Sequence, residues 1–169
     1  KHVNRFGFIA GYQVRQFREQ DPVNIEAAEK LADLHDALEA VGYTGHELEV
    51  YLVRLLFCLF ADDTGIFMPR GAFDDYIRVR TSEDGSDLAA KVAELFQVLN
   101  QPVEKRLKNL DEQLAAFPYV NGKLFQEMLP TAAFDRAMRE KLLACADLDW
   151  GQISPAIFGS LFQGIMNKE

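Results

Sequence analysis

Apolar residues recur every three or four positions over most of this chain from Asn24 onward, which is the pattern of helices that pack on a common core. Asn24 is predicted to cap the first helix and Gly42 to end it, so we expect a helix over residues 24–41. Its predicted buried face is formed by Ile25, Ala28, Leu31, Leu34, Leu38 and Val41.

A second helix is predicted to begin at a capping box. Thr44 and Glu47 stand three residues apart, so each side chain can accept a hydrogen bond from the other residue's free backbone N–H. The residues that follow, 48–61, are apolar on nearly every side, and from Val50 to Phe60 only Arg54 interrupts the apolar run. Such a helix belongs in the middle of a bundle, and with about 14 residues it would extend only ~20 Å, too short to span a bilayer.

Arg54 is the one charge between Val50 and Phe60 of this apolar helix. Its guanidinium must either reach the edge of the bundle or pair with a carboxylate. Asp62 and Asp63 follow the predicted helix, but neither is three or four residues away, so they could meet Arg54 only through the tertiary fold. We expect the simpler arrangement, in which Arg54 reaches the bundle edge.

Further helices are predicted over residues 73–79, over 88–99 after a cap at Ser86 or Asp87, over 103–115, and from Thr131 to about residue 148. Between the last two, residues 117–125 contain an Asn-Gly pair flanked by apolar residues, which indicates either a short hairpin or an ordered loop. The predicted fold is therefore mainly all-α: a multi-helix bundle with one short hairpin or ordered loop near residues 117–125.

The end of the chain predicts one more helix. Ser154 and Pro155 form a favourable N-cap and first helical position, and an apolar stripe follows them. Phe158 and Phe162 lie on that stripe, which must pack either on this bundle or on a neighbouring domain. Trp150, just before the cap, is expected to anchor the core or an interface.

Composition narrows the possible functions. The 169 residues fit about one domain, 49% of them are apolar, and the formal charge is −8. Because cations supply most affinity for nucleic acid, this charge argues against a main DNA-binding surface. The chain lacks an apolar run long enough for a membrane span, and its two distant cysteines indicate a reducing, cytoplasmic location. A start at Lys1 without an initiator Met leads us to expect a piece of a longer protein.

A search for catalytic chemistry finds none with the required spacing. His46 and Glu47 could open a zinc-binding HExxH motif, but Val50 occupies the second ligand position. The acidic pairs near residues 62–63, 74–75 and 147–149 are expected to cap helices or face solvent. The sequence contains no GxG, no phosphate-binding loop and no nucleophile elbow. We therefore predict no catalytic, cofactor-binding or metal-binding residue in this chain.

Three ordered blocks, residues 52–67, 117–125 and 149–163, resemble large bacterial DNA methyltransferases related to the MmeI restriction–modification enzymes. In that family the matching region resembles a helical spacer between an N-terminal segment, which is a nuclease domain in some members, and the methyltransferase domain. The resemblance implies a parent that transfers a methyl group from S-adenosylmethionine to N6 of adenine in DNA. The Pro-Pro pair and the cofactor loop of that chemistry are missing here.

The resemblance thus implies a non-catalytic spacer within a parent enzyme, with S-adenosylmethionine bound by the parent alone. Residues 1–20 would end a preceding domain, 21–152 would form the spacer bundle, and 153–169 would lead into the methyltransferase domain. The expected partners are those adjoining domains, with DNA bound through the parent and no membrane. A free-standing helical interaction or regulatory module and a small enzyme with an unrecognised site are the alternatives. The residues predicted to be structural or interdomain are Arg54, Asp62, Asp63, Trp150, Ser154, Phe158 and Phe162.

Overall fold

A computed structural model of the chain describes residues 22–153 together with Ala156 and Gly159. Over these residues it forms α-helices and two 3-10 turns, at Val103–Lys105 and Trp150–Gln152, and contains no strand. The mainly all-α prediction is confirmed. The helices are α1 (Pro22–Ala40), α2 (Gly45–Thr64), α3 (Ala72–Arg80), α4 (Leu88–Leu99), α5 (Glu112–Ala115) and α6 (Arg136–Ala146).

Helix α2 is the central helix of the bundle. All seven residues from Val50 to Leu56 are buried, and α2 contacts α1, α3 and the 3-10 turn at Trp150. The prediction of a helix buried on all sides is confirmed, although it runs three residues beyond the predicted end at Ala61. The capping box is wrong in its hydrogen bonding, because Thr44 holds the N-cap position but its side chain forms no cap hydrogen bond.

Helix α1 packs along α6, which returns from the far end of the chain. Asn24 does not cap α1 as predicted, since the helix already begins at Pro22 and Asn24 is buried inside it. Proline suits a first helical position because it has no N–H that needs a partner. The predicted end at Gly42 is confirmed: this glycine has φ +100°, and its N–H donates to the Glu39 carbonyl over 3.0 Å.

The predicted helices over 73–79 and 88–99 are present as α3 and α4. The predicted helix over 103–115 is wrong, because only the 3-10 turn and the four-residue α5 are helical there. Arg106 explains part of this difference: its guanidinium donates to the carbonyls of Val98, Gln101 and Phe117. A side chain thus satisfies carbonyl groups around this segment, so the segment folds around Arg106 instead of forming a long helix.

Residues 117–135 form an ordered loop, which is the second of the two structures allowed for 117–125. The N–H of Val120 donates to the Leu99 carbonyl, and Gly122 has φ +127°. The predicted helix start at Thr131 is wrong, because α6 begins at Arg136. Asp135 caps it instead, with its carboxylate accepting from the Met138 N–H over 2.9 Å.

The buried side chains form one hydrophobic core that extends from Ala27 in α1 to Ile153 after the last 3-10 turn. Among the residues described, no helix combines the length and the apolar character needed to cross a bilayer. The final helix predicted after Ser154 lies outside the described residues, apart from Ala156 and Gly159, which are helical. Residues 1–20 also lie outside them.

Candidate functional site

The C-terminal end of α2 holds the first turn of α3 through Asp62. This side chain is only 4% exposed, and its two carboxylate oxygens accept from the backbone N–H groups of Phe73 (2.7 Å) and Asp74 (3.0 Å). The first N–H groups of a helix have no partner within the helix, so an acidic side chain there supplies both hydrogen bonds and favourable charge. Asp62 therefore fixes where α3 begins relative to α2.

The next residue, Asp63, holds the segment at the far end of the described chain. Its carboxylate accepts from the backbone N–H of Trp150 over 2.8 Å, and its carbonyl accepts from Arg70 over 2.8 Å. The Trp150 ring is fully buried, and its Nε1 donates to the Cys145 carbonyl over 2.9 Å. Trp150 is therefore part of the hydrophobic core, and its interdomain role stays a prediction.

Gly151 allows this close contact, although sequence reasoning did not identify it. A Cβ atom at this position would lie 3.1 Å from both the Asp63 carbonyl oxygen and an Asp149 carboxylate oxygen. The Asp149 side chain also accepts from the Gly151 N–H over 2.9 Å. The available signal was an Asp-Trp-Gly triplet just before the N-cap predicted at Ser154. We call Asp62, Asp63, Trp150 and Gly151 the joint.

Desolvation dominates the electrostatics of the joint. Burial raises the pKa of the Asp62 carboxyl above its ordinary value, although the N–H groups of Phe73 and Asp74 oppose the rise. Burial also raises the pKa of Asp63; the Trp150 N–H opposes this rise, and the nearby charge of Asp149 adds to it. The carboxylates of the joint are committed to backbone N–H groups, so they have a structural task within the fold.

Arg54 lies elsewhere, and the structure brings it to neither Asp62 nor Asp63. It is 4% exposed, so the expectation that it reaches the bundle edge is wrong. Its Nε donates to the Leu124 carbonyl over 2.9 Å and its Nη2 to the Glu127 carbonyl over 2.6 Å. The rings of Phe96 and Phe125 lie 5.6 and 5.5 Å from the guanidinium carbon. Arg54 thus holds the 117–135 loop on the bundle.

The other acidic pairs act as surface ion pairs or caps. Asp74 and Asp147 both pair with Arg78, at 2.8 and 2.7 Å. Over the described residues, the one group of potential metal ligands within 4.8 Å of one another is His35, Asp36 and Glu39. These three residues share one helix, and a structural zinc site needs four protein ligands.

The two cysteines are free and buried, as expected for packing residues. Burial raises the pKa of Cys145 to about 12 and raises that of Cys58 as well, so neither is a reactive thiolate at neutral pH. Three of the residues predicted to be interdomain, Ser154, Phe158 and Phe162, lie outside the described residues. The structure therefore brings Asp62, Asp63 and Trp150 together and sets Arg54 apart from them.

Comparison with known proteins gives two adjacent family matches. Residues 46–125 match the family model described as the MmeI helicase spacer domain, and residues 1–41 match the model described as the MmeI N-terminal domain. The two matched ranges meet at the turn between α1 and α2. These matches identify the family but do not fix where the domains of this chain end. The domain boundary expected near residue 20 therefore stays a prediction.

Two individual proteins support the same assignment. DNA methyltransferase A of Bacillus subtilis (strain 168) is 37% identical over 163 residues, which cover 94% of this chain and 18% of that protein. The Type IIL restriction-modification enzyme MmeI, solved in complex with DNA, is similar with a TM-score of 0.78 and 66% identity over 88% of this chain and 20% of that one. This chain spans about a fifth of the length of each. The chain belongs to the MmeI-like family of restriction–modification proteins.

Proposed function

We propose that this chain is a non-catalytic helical coupler within a DNA adenine-N6 methyltransferase of the restriction–modification type. The observation that carries the proposal is the single core that extends from Ala27 to Ile153. That core joins α1, which lies within the N-terminal family match, to α2–α5, which lie within the spacer match. A continuous apolar core resists relative motion of its parts, unlike a small polar contact between domains.

The joint extends this rigidity toward the C-terminal residues. Asp63 and the buried Trp150 ring fix the segment that leads to Ser154, and α6 packs on α1. The two ends of the described chain are therefore held by one body. In a larger protein such a body would keep the domains on either side at a defined distance and orientation, so that binding of DNA by one domain places the other domain on its target.

The parent protein would carry out the methyl transfer. We infer that it binds S-adenosylmethionine and DNA in an adjoining methyltransferase domain and acts in the cytoplasm. When bound there, the cofactor supplies the methyl group. Within the described residues, the buried carboxylates at the joint already accept backbone N–H groups, and the whole sequence has no GxG loop. With a formal charge of −8, this chain should bind duplex DNA weakly and lose it at moderate salt.

Two measurements test the proposal. Saturating S-adenosylmethionine should leave the melting temperature of the 169-residue chain unchanged, because a ligand raises stability only where it binds the folded state. In the whole parent protein, Asp63→Ala should reduce DNA methylation while the affinity for S-adenosylmethionine stays at the wild-type value. Asp33→Ala, on the exposed side of α1, is the matched control. Stabilisation of this chain by the cofactor, or full methylation by the Asp63 variant despite a loosened joint, would contradict the coupler.

A further inference from the structure

A cavity of about 390 Å³ opens between α2, α4 and residues 125–132, away from the joint. Tyr51 and Arg54 line it from α2, one helical turn apart and so on the same face of the helix. Ala89 and Ala93 line it from α4, where their small side chains leave room. This volume is within the range of pockets that hold small molecules.

Two donors of residues that line this cavity, the Tyr51 hydroxyl and Arg54 Nη1, form no hydrogen bond within the described part of the chain. The Tyr51 hydroxyl is buried and forms no hydrogen bond, although the residue is only 3% exposed. Buried hydroxyl groups almost always have a partner, so this one is an exception that calls for an explanation. Arg54 uses Nε and Nη2 for the loop carbonyls, and no hydrogen bond from its Nη1 is found within the described part of the chain. Each residue therefore has one donor left over for a ligand.

The charge in the cavity favours a single negative charge. Arg54 is the one cation that lines it; its guanidinium forms no ion pair within the described residues, although the Glu127 charge acts to raise its pKa, which burial lowers. Glu127 is the one acid in the lining, and its carboxylate already bonds His46 at 3.0 Å. Glu127 repels any anion, and a dianion more strongly than a monoanion, so the single charge of Arg54 can offset a monoanion but not a dianion.

The walls favour a ligand with an apolar body. Phe96 and Phe125 line the cavity, with their ring centroids 5.3 Å apart. Gln97, Asn100 and Gln126 also line it, and none of these amides carries a charge. A flat or branched hydrocarbon body could pack on the rings while its head group reaches Arg54 and Tyr51.

We propose that this cavity is a binding site for a small monocarboxylate with an apolar body. One carboxylate oxygen accepts from Arg54 Nη1 and the other from the Tyr51 hydroxyl, while the body packs on Phe96 and Phe125. Hydrogen bonds to a charged acceptor are stronger than neutral ones, so the carboxylate should be preferred over its amide. This site is independent of the coupler role, because it uses no residue of the joint.

Benzoate titrated into the 169-residue chain and followed by NMR tests the site. We expect saturable shifts of the Ala89 and Ala93 methyl groups with a Kd of about 1 mM, as suits so small a ligand. Benzamide, which has the same shape and no charge, should bind at least about tenfold more weakly. Equal affinity for the two compounds, or shifts confined to other parts of the chain, would overturn the proposal.

Tyr51→Phe is the decisive variant because it removes the unpartnered hydroxyl and keeps the ring. We expect it to raise the Kd for benzoate about tenfold while the melting temperature stays the same or rises, since a buried unsatisfied hydroxyl is lost. Tyr119→Phe is the matched control: Tyr119 lies outside the cavity, and its hydroxyl bonds Asn121 over 3.2 Å. An unchanged Kd in Tyr51→Phe would show that the hydroxyl holds no ligand and would overturn the proposal.

Discussion

The Asp63 carboxylate accepts the backbone N–H of Trp150 over 2.8 Å, although the two residues are 87 positions apart in the sequence. The contact joins the last turn of the central helix to the segment before Ser154. It also places a carboxylate beside an indole ring that is fully buried. One hydrogen bond thus links the central helix to the C-terminal segment of the described chain, and a substitution at Asp63 removes its acceptor.

Asp63→Ala should lower the free energy of unfolding by about 1–2 kcal/mol, because it leaves the Trp150 N–H without its acceptor. Chemical denaturation of the 169-residue chain followed by Trp150 fluorescence measures the change, since this is the single tryptophan. Asp33→Ala, an exposed change on α1, should alter stability by less than about 0.5 kcal/mol. Equal effects of the two variants would show that the contact contributes nothing.

The contribution of the Asp62 carboxyl to the free energy of unfolding should fall as pH rises. Burial raises the pKa of its carboxyl in the folded state, so the folded protein binds this proton more tightly than the unfolded chain does. The stabilisation that results is fully present below the ordinary pKa of 3.8 and is lost as pH rises through the raised folded value. Ionisation of Asp62 is thus a cost of folding at neutral pH.

Asp62→Asn tests that direction, because the amide keeps an acceptor oxygen but cannot ionise. The stability of the wild-type chain minus that of the variant should be larger near pH 4 than at pH 7. Urea denaturation at several pH values measures this difference. A difference that grows as pH rises would mean that the folded state prefers the ionised carboxylate, contrary to the structure.

Local sequence signals predicted the helices better than they predicted the joint. The hydrophobic pattern was sufficient for α2, which is apolar nearly all round, and for α3 and α4, which each have an apolar face. It failed at 103–115, where the Arg106 side chain bonds carbonyls on both sides of the segment, those of Val98 and Phe117. A side chain that bonds carbonyls up to eleven residues away leaves no periodic trace in the sequence.

Sequence-based prediction met the same limit at the residues of the joint. The adjacent acids Asp62 and Asp63 were identified from the sequence, but their partners, the N–H groups of Phe73 and Trp150, are backbone atoms that every residue has. Nothing in the residue types at 73 or 150 marks those N–H groups as partners. The Arg54 carbonyl acceptors were missed for the same reason. Tertiary contacts to the backbone therefore had to come from the structure.

Arg54→Lys should release the loop that Arg54 holds. A lysine carries one compact ammonium and cannot reach the Leu124 and Glu127 carbonyls with a planar fork of donors. We expect a loss of about 2–3 kcal/mol in stability and faster amide hydrogen exchange over residues 123–130, measured by mass spectrometry. Arg136→Lys, at an exposed ion pair with Glu83, should change neither quantity. Unchanged exchange in the loop of the Arg54 variant would contradict its anchoring role.

Gly85 provides a test of the contact between the loop before α4 and the start of α6. It has φ +77°, and a Cβ atom there would lie 2.5 Å from the Asp135 carbonyl oxygen, a separation that side chains do not tolerate. Gly65 has a similar φ of +86° but nothing within 4 Å of its Cβ position, so Gly65→Ala should cost only about 1 kcal/mol from backbone strain. Gly85→Ala should cost about 3 kcal/mol or more, because Asp135 must move and its cap on α6 is disturbed. Thermal unfolding measures the loss of stability in each variant. Both variants carry the backbone strain, so the larger loss in Gly85→Ala gives the cost of the clash with Asp135. Equal losses would show that residues 85 and 135 do not touch.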